Sequence, residues 1–265
     1  TLTGSGENES WSSFIVTDGS TPGVTPTFTN APDTYDTGTG STTCEFTNSD
    51  TTCDPTATSS YWTCAVGDLE SSGLYYIEYD LGGESPEDPS DAESAMIGVI
   101  NQTNDRDTTP FDTGFFGGDS DEWGVYMLNG RLYNGGSTST YLLNPDGSTW
   151  TAADVGDRVG QFVNMSNGNC WLGKVSGGEW TPFRVDSNPA NISDPFNGDH
   201  PHFTATGTSF RIVIGDAQTS RDLKATIVAA ASRATHTTEP GPGSCTANSP
   251  ENGEKAFYNH VGGDC

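Results

Sequence analysis

Leu74-Tyr75-Tyr76-Ile77-Glu78-Tyr79-Asp80-Leu81 is the stretch that decides the fold. Positions 75, 77, 79 and 81 carry Tyr, Ile, Tyr and Leu, whereas 78 and 80 carry Glu and Asp. Alternation with a period of two puts the odd residues on one face, the signature of a strand laid on a core. A helix would need its apolar residues three and four apart, and the two acids interrupt that spacing. Short runs with the same character recur at 61–66, 96–100, 122–128, 130–133, 159–163, 170–175 and 210–214. Asn129-Gly130 predicts a two-residue hairpin turn between two of them, because both central positions then need positive φ. Ser166-Asn167-Gly168 predicts a second hairpin. The run 225–231 is alanine-rich and admits a helix as well as a strand.

Composition agrees with many short strands. Gly (33) and Pro (15) make up about a fifth of the 265 residues, and Ser with Thr nearly another quarter. Thr fits a pleated surface, whereas Gly and Pro interrupt helices. The expected fold is all-β: an antiparallel two-sheet sandwich of jelly-roll or concanavalin-like type. Three regions are expected. Residues 1–58 form an extended arm with peripheral strands, 59–235 the sandwich, and 236–265 a Pro/Gly-rich tail tied by disulfides.

Charge narrows the partners. Thirty-six acids face ten bases, a net charge of −26. Such a chain repels phosphate backbones and acidic bilayers, so neither nucleic acid nor membrane insertion is expected. No stretch of about 18 apolar residues is present to span a bilayer. The chain starts at Thr1 without a basic, then apolar, leader, which fits either a leader removed or a trimmed chain. Six cysteines, at 44, 53, 64, 170, 245 and 265, read as three disulfides and an oxidising, extracellular compartment. Proximity pairs Cys44 with Cys53 and Cys245 with Cys265, leaving Cys64 with Cys170. Sequons at Asn8, Asn101, Asn164 and Asn191 permit glycosylation, at about the number chance predicts.

The order of motifs resembles a SPRY domain, the concanavalin-like sandwich of many recognition proteins and of phage and viral fibres. The pieces are Ser72-Gly73-Leu74-Tyr75-Tyr76-Ile77-Glu78, Ile97-Gly98-Val99, Trp123-Gly124-Val125-Tyr126 and Asn129-Gly130-Arg131-Leu132-Tyr133. Val155-Gly156-Asp157-Arg158-Val159-Gly160 and Gly168-Asn169-Cys170-Trp171-Leu172-Gly173-Lys174 follow. Asp194-Pro195-Phe196 and Phe210-Arg211-Ile212-Val213-Ile214-Gly215 are similar to the closing strands of virus-borne versions. Ala31-Pro32-Asp33-Thr34-Tyr35-Asp36 resembles their beginning. The stretch Trp171–Gly178 departs from the usual strand-and-turn pattern by extra residues. The resemblance implies a recognition or structural protein of a virion.

Concanavalin-like sandwiches also include glycosidases, which need two carboxylates about 5–5.5 Å apart for retaining chemistry. Glu78, Asp80 and Glu84 are spaced one residue too long for the hydrolase pattern, so no catalytic residue and no enzyme activity is expected. His200-Pro-His202 is a weak metal candidate. The acids Asp119, Asp121 and Glu122 offer a weak calcium site, and no other cofactor is expected. Trp123 and Trp171 read as packing residues. Trp11, Phe14, Phe257 and Tyr258 are apolar anchors in polar ends, expected to contact other subunits. The expected function is a non-catalytic structural or receptor-recognition component of a virion: a fibre, spike or capsid decoration. The alternatives are a secreted carbohydrate-binding module or adhesin with a surface glycan as partner, and a subunit of a non-viral extracellular filament.

Overall fold

The computed structural model describes residues 14–15, 28–30, 44–48, 51–55, 62–66, 72–83, 89–101, 117–118, 120–218 and 222–233. The early strands are β1 (Phe14–Ile15), β2 (Phe28–Asn30), β3 (Cys44–Thr47), β4 (Thr52–Pro55), β5 (Trp62–Val66) and β6 (Leu74–Gly83). A 3-10 turn, Pro89–Ser94, leads into β7 (Ala95–Asn101), β8 (Glu122–Tyr126), β9 (Arg131–Tyr133) and β10 (Ser137–Tyr141). The last six are β11 (Arg158–Asn164), β12 (Asn169–Ser176), β13 (Glu179–Pro182), β14 (Phe203–Thr204), β15 (Phe210–Asp216) and β16 (Leu223–Arg233). They form two antiparallel sheets. The first runs β1-β13-β12-β11-β6-β16-β4-β3 with β14 beside β12, the second β10-β9-β8-β7-β15-β5-β2.

The sheets face each other across one core. Tyr75, Ile77, Tyr79 and Leu81 of β6 meet Ile97 and Val99 of β7 and Ile212 and Ile214 of β15, all buried. Burying each such side chain contributes roughly 1.5–3 kcal/mol. Because the other face of β6 is also covered, Tyr76 and Glu78 are buried too. One polar cross-link runs through this core. Gln161 of β11 donates to Gly98 O of β7 (2.8 Å) and accepts from the Tyr79 hydroxyl (3.2 Å). Gly98 is obligatory there, since a Cβ would lie 1.8 Å from Trp123 O.

The structure decides the open reading of the alanine-rich run and corrects other expectations. The alanine-rich run is strand, not helix: β16 lies between β6 and β4 and buries Leu223, Ala225 and Ile227 alternately. Alanine's helix preference is only a few tenths of a kcal/mol per residue over most others, which sheet pairing overrides. Asn129-Gly130 is not a two-residue turn. Tyr126 pairs with Arg131, leaving a loop of 127–130 in which Met127 is fully buried and Gly130 alone takes positive φ (67°). The tight turn is Gly177-Gly178 instead, at φ 61° and 80°, between paired Ser176 and Glu179.

The cysteine pairing also differs. Cys53 bonds Cys64, joining β4 of the first sheet to β5 of the second, and Cys170 is a free, buried thiol. In the β3–β4 hairpin Cys44 stands opposite Pro55 and Cys53 opposite Phe46, so neighbouring cysteines in sequence do not oppose one another. Cys170 points into the core, where Gln161 Nε2 lies 3.5 Å from its sulfur. Cys245 and Cys265 lie outside the described residues. Within the first 58 residues, β1, β2 and the β3–β4 hairpin each pair with strands of the sandwich.

Candidate functional site

Of the acids weighed for catalysis, Glu78 and Asp80 lie on the face of β6 turned away from the inter-sheet core, and Glu84 lies outside the described residues. Arg158, opposite Asp80 in register, reaches Glu78 Oε1 with Nη1 (3.3 Å) and Asp80 Oδ2 with Nε (3.5 Å). The Tyr76 hydroxyl donates to Glu78 Oε2 (3.2 Å). Burial, then the Glu78 charge, holds that phenol far above its usual range. One cation therefore spans both carboxylates, an arrangement that steadies β6 against β11. Trp180 closes this face: its indole lies across Gly160 and Gly173 and donates to Gly160 O (3.0 Å). Trp171 donates to Asp199 O (2.9 Å) and is fully buried, and Trp123 is buried.

The histidine pair does not gather a metal. His202 is buried and accepts the Leu172 N–H at Nδ1 (2.8 Å), so Nε2 carries the proton and donates to Phe183 O (2.9 Å). Burial pushes its pKa down to about 4. Both nitrogens thus pin the 183–202 connection to β12. His200 is exposed, with φ 45°. Of the acids considered for calcium, Asp121 and Glu122 are buried, and Glu122 accepts the Gly117 N–H (2.7 Å). Asp119 lies outside the described residues. Among the described residues no three His, Cys, Asp or Glu side chains converge as metal ligands.

The sequons separate by exposure. Asn101 is buried against Gly207. Asn191 donates to Asp186 Oδ2 (2.7 Å), and the hydroxyl of its sequon, Ser193, is fully buried. Asn164 sits beside an exposed Ser166 whose N–H it accepts (3.0 Å). Phe14 pairs with Trp180 through the backbone at the edge of the first sheet. Asn8, Trp11, Phe257 and Tyr258 lie outside the described residues.

One surface is built differently from the rest. Tyr141 (47% exposed) and Val228 are the large apolar side chains left exposed among the described residues. Tyr141 ends β10, the outer strand of the second sheet. The Arg131 guanidinium carbon lies 5.2 Å from the Tyr141 ring centre and 6.0 Å from that of Tyr133, a cation resting on aromatic faces. Arg131 Nε donates to Thr138 O (2.6 Å). Among the described residues no carboxylate pairs with Arg131, in a chain of 36 acids. Ser139 and Thr140 are exposed beside it. In the sequence Arg131 and Tyr133 read as hairpin residues, and 137–141 has no apolar alternation to mark it as a strand. The available signal was Ser-Thr-Ser-Thr-Tyr, a run of hydroxyls along a strand that ends in an aromatic.

No protein-family model matches the sequence, and no curated protein matches it. Among solved structures the chain is similar to the SPRY domain of human HERC1, with TM-score 0.43 and 16% identity over 69% of this chain and 91% of that one. It is also similar to stonustoxin, with TM-score 0.45 and 11% identity over 77% of this chain and 27% of that one.

Proposed function

We propose that this chain is a non-catalytic recognition protein, a structural or receptor-recognition component of a virion. The observation that carries the reading is the Tyr133–Arg131–Tyr141 surface at the outer edge of the second sheet. There an exposed aromatic ring stands beside a cation that has no carboxylate partner among the described residues. Exposed Tyr and Arg are the side chains that binding surfaces favour. The virion setting is supported by the virus-like SPRY pieces of the sequence and by an acidic surface that keeps copies apart until a specific contact forms.

A secreted glycan-binding module is the second reading, favoured by the hydroxyls of Ser139 and Thr140 beside Tyr141. Sedimentation of the purified chain, together with a glycan array, tests both. Oligomers or receptor binding that Tyr141→Ala abolishes support recognition through this edge; a monomer held by glycans alone supports the second reading. Polysaccharide turnover lost in a folded Glu78→Gln variant would overturn the non-catalytic assignment.

A further inference from the structure

We infer that the Arg131–Tyr141 edge binds a sugar bearing a single carboxylate, such as a sialic or uronic acid. This rests on reading the edge as a recognition surface and names the ligand class. Three observations carry it. Arg131 uses Nε on Thr138 O and rests on two tyrosine rings, which leaves both Nη groups uncommitted among the described residues. A guanidinium edge takes a carboxylate through two parallel N–H donors, and its packing on Tyr133 and Tyr141 fixes that edge in advance. Tyr141, 47% exposed, offers ring surface on which the C–H face of a pyranose stacks. Ser139 and Thr140 add exposed hydroxyls that can donate to or accept from sugar hydroxyls.

The same geometry disfavours an added peptide strand. Strand addition depends on main-chain groups free along an edge. In β10 the pairing slips between Ser137 and Tyr141. Thr138 O is taken by Arg131 Nε, and the Thr140 N–H is bonded to Thr138 Oγ1 (3.1 Å). Thr138 Oγ1 also donates to Leu132 O (2.8 Å). Net charge then sets the number of negative charges on the ligand. At −26 the chain repels a polyanion as a whole, whereas one carboxylate meets one local cation.

The test titrates the full chain with the methyl glycoside of N-acetylneuraminic acid, with its methyl ester, and with glucuronic acid, following backbone amide shifts by NMR. The expected result is saturable shifts confined to 131–141 for both acids, and at least tenfold weaker binding of the ester. Arg131→Gln and Tyr141→Ala should each weaken acid binding at least tenfold. Because Arg131 also holds Thr138, Tyr141→Ala is the variant that tests the site without disturbing β10, and its melting should match the parent. Equal binding of acid and ester at this edge would overturn the carboxylate assignment and leave a recognition surface standing. No shift at 131–141 with any of the sugars overturns the inference. Tyr141-dependent association with an acidic protein instead would place a protein partner there, and also overturns it.

Discussion

Asp216 ends β15 with 1% of its surface exposed, and its two carboxylate oxygens differ in their surroundings. Oδ1 accepts the Gln218 N–H (2.8 Å), whereas Oδ2 is buried with no hydrogen-bond partner among the described residues. Burial pushes its pKa up to about 7; the Gln218 N–H, the Ser94 hydroxyl and the Leu223 N–H oppose that rise, and the Asp222 charge adds to it. Between about pH 4 and pH 7 the folded chain therefore keeps a proton that the unfolded chain has lost. Stability from this group is full below about pH 4 and declines until about pH 7. Asp216→Asn should flatten that decline, gaining on the parent in thermal melts at pH 8 relative to pH 4.5. Parallel curves for the two proteins would refute this. Gly160 is a second single-residue test. An added Cβ would lie 2.4 Å from Trp180 Cδ1 and 2.6 Å from the Tyr76 ring, so Gly160→Ala should cost about 1–3 kcal/mol in urea unfolding. Neither residue was legible beforehand. Asp216 is one acid among many until the strand register buries it, and Gly160 is one glycine among 33 until Trp180 lies across it.

At the scale of elements, turns record how far local signals reach. Gly177 and Gly178 carry positive φ with nothing within 4 Å of a built Cβ, so substitution there is felt by the backbone alone. Gly178→Ala should cost roughly 1–2 kcal/mol, whereas Gly177→Asn should be close to neutral, because asparagine accepts left-handed φ. Denaturation midpoints of the two variants check this, and equal losses would contradict it. Strands were easier to read than their connections. The apolar alternation of 74–81 became β6, and the runs near 97, 123, 160, 172 and 212 became β7, β8, β11, β12 and β15. Asn129-Gly130 misled because the burial of Met127, fixed by distant partners such as the Trp150 indole that donates to its carbonyl (3.0 Å), sets the loop at four residues.

For the whole molecule, Cys53–Cys64 is the covalent tie between the two sheets among the described residues. It closes a short loop, with a sequence separation of 11, so its removal in a Cys53→Ser/Cys64→Ser protein should lower stability by about 3 kcal/mol. Thiol titration of the parent should find Cys170 silent while the chain is folded and reactive in denaturant. Burial keeps it from solvent and pushes its pKa up to about 12. Rapid labelling of Cys170 under native conditions would count against the core as described. The two-sheet class was legible because alternation and turn residues are local properties. Cysteine pairing and the Arg131–Tyr141 surface were not, because both depend on which strands become neighbours, and those neighbours are set by the fold as a whole.

The order of the first sheet has a consequence for biosynthesis. β6 lies between β11 and β16, and among the described residues the β3–β4 hairpin joins the sheet through β16, so early strands wait on the last one described. As the ribosome releases the chain from its N-terminus, β3, β4 and β6 emerge well before Leu223–Arg233. Until then one edge of β6 is open and the β3–β4 hairpin has no sheet to join, the state in which strand edges recruit other chains. A chain broken off before β16 is thus an adhesive fragment rather than a smaller version of the protein, and quality control by chaperones and proteases would act on it first.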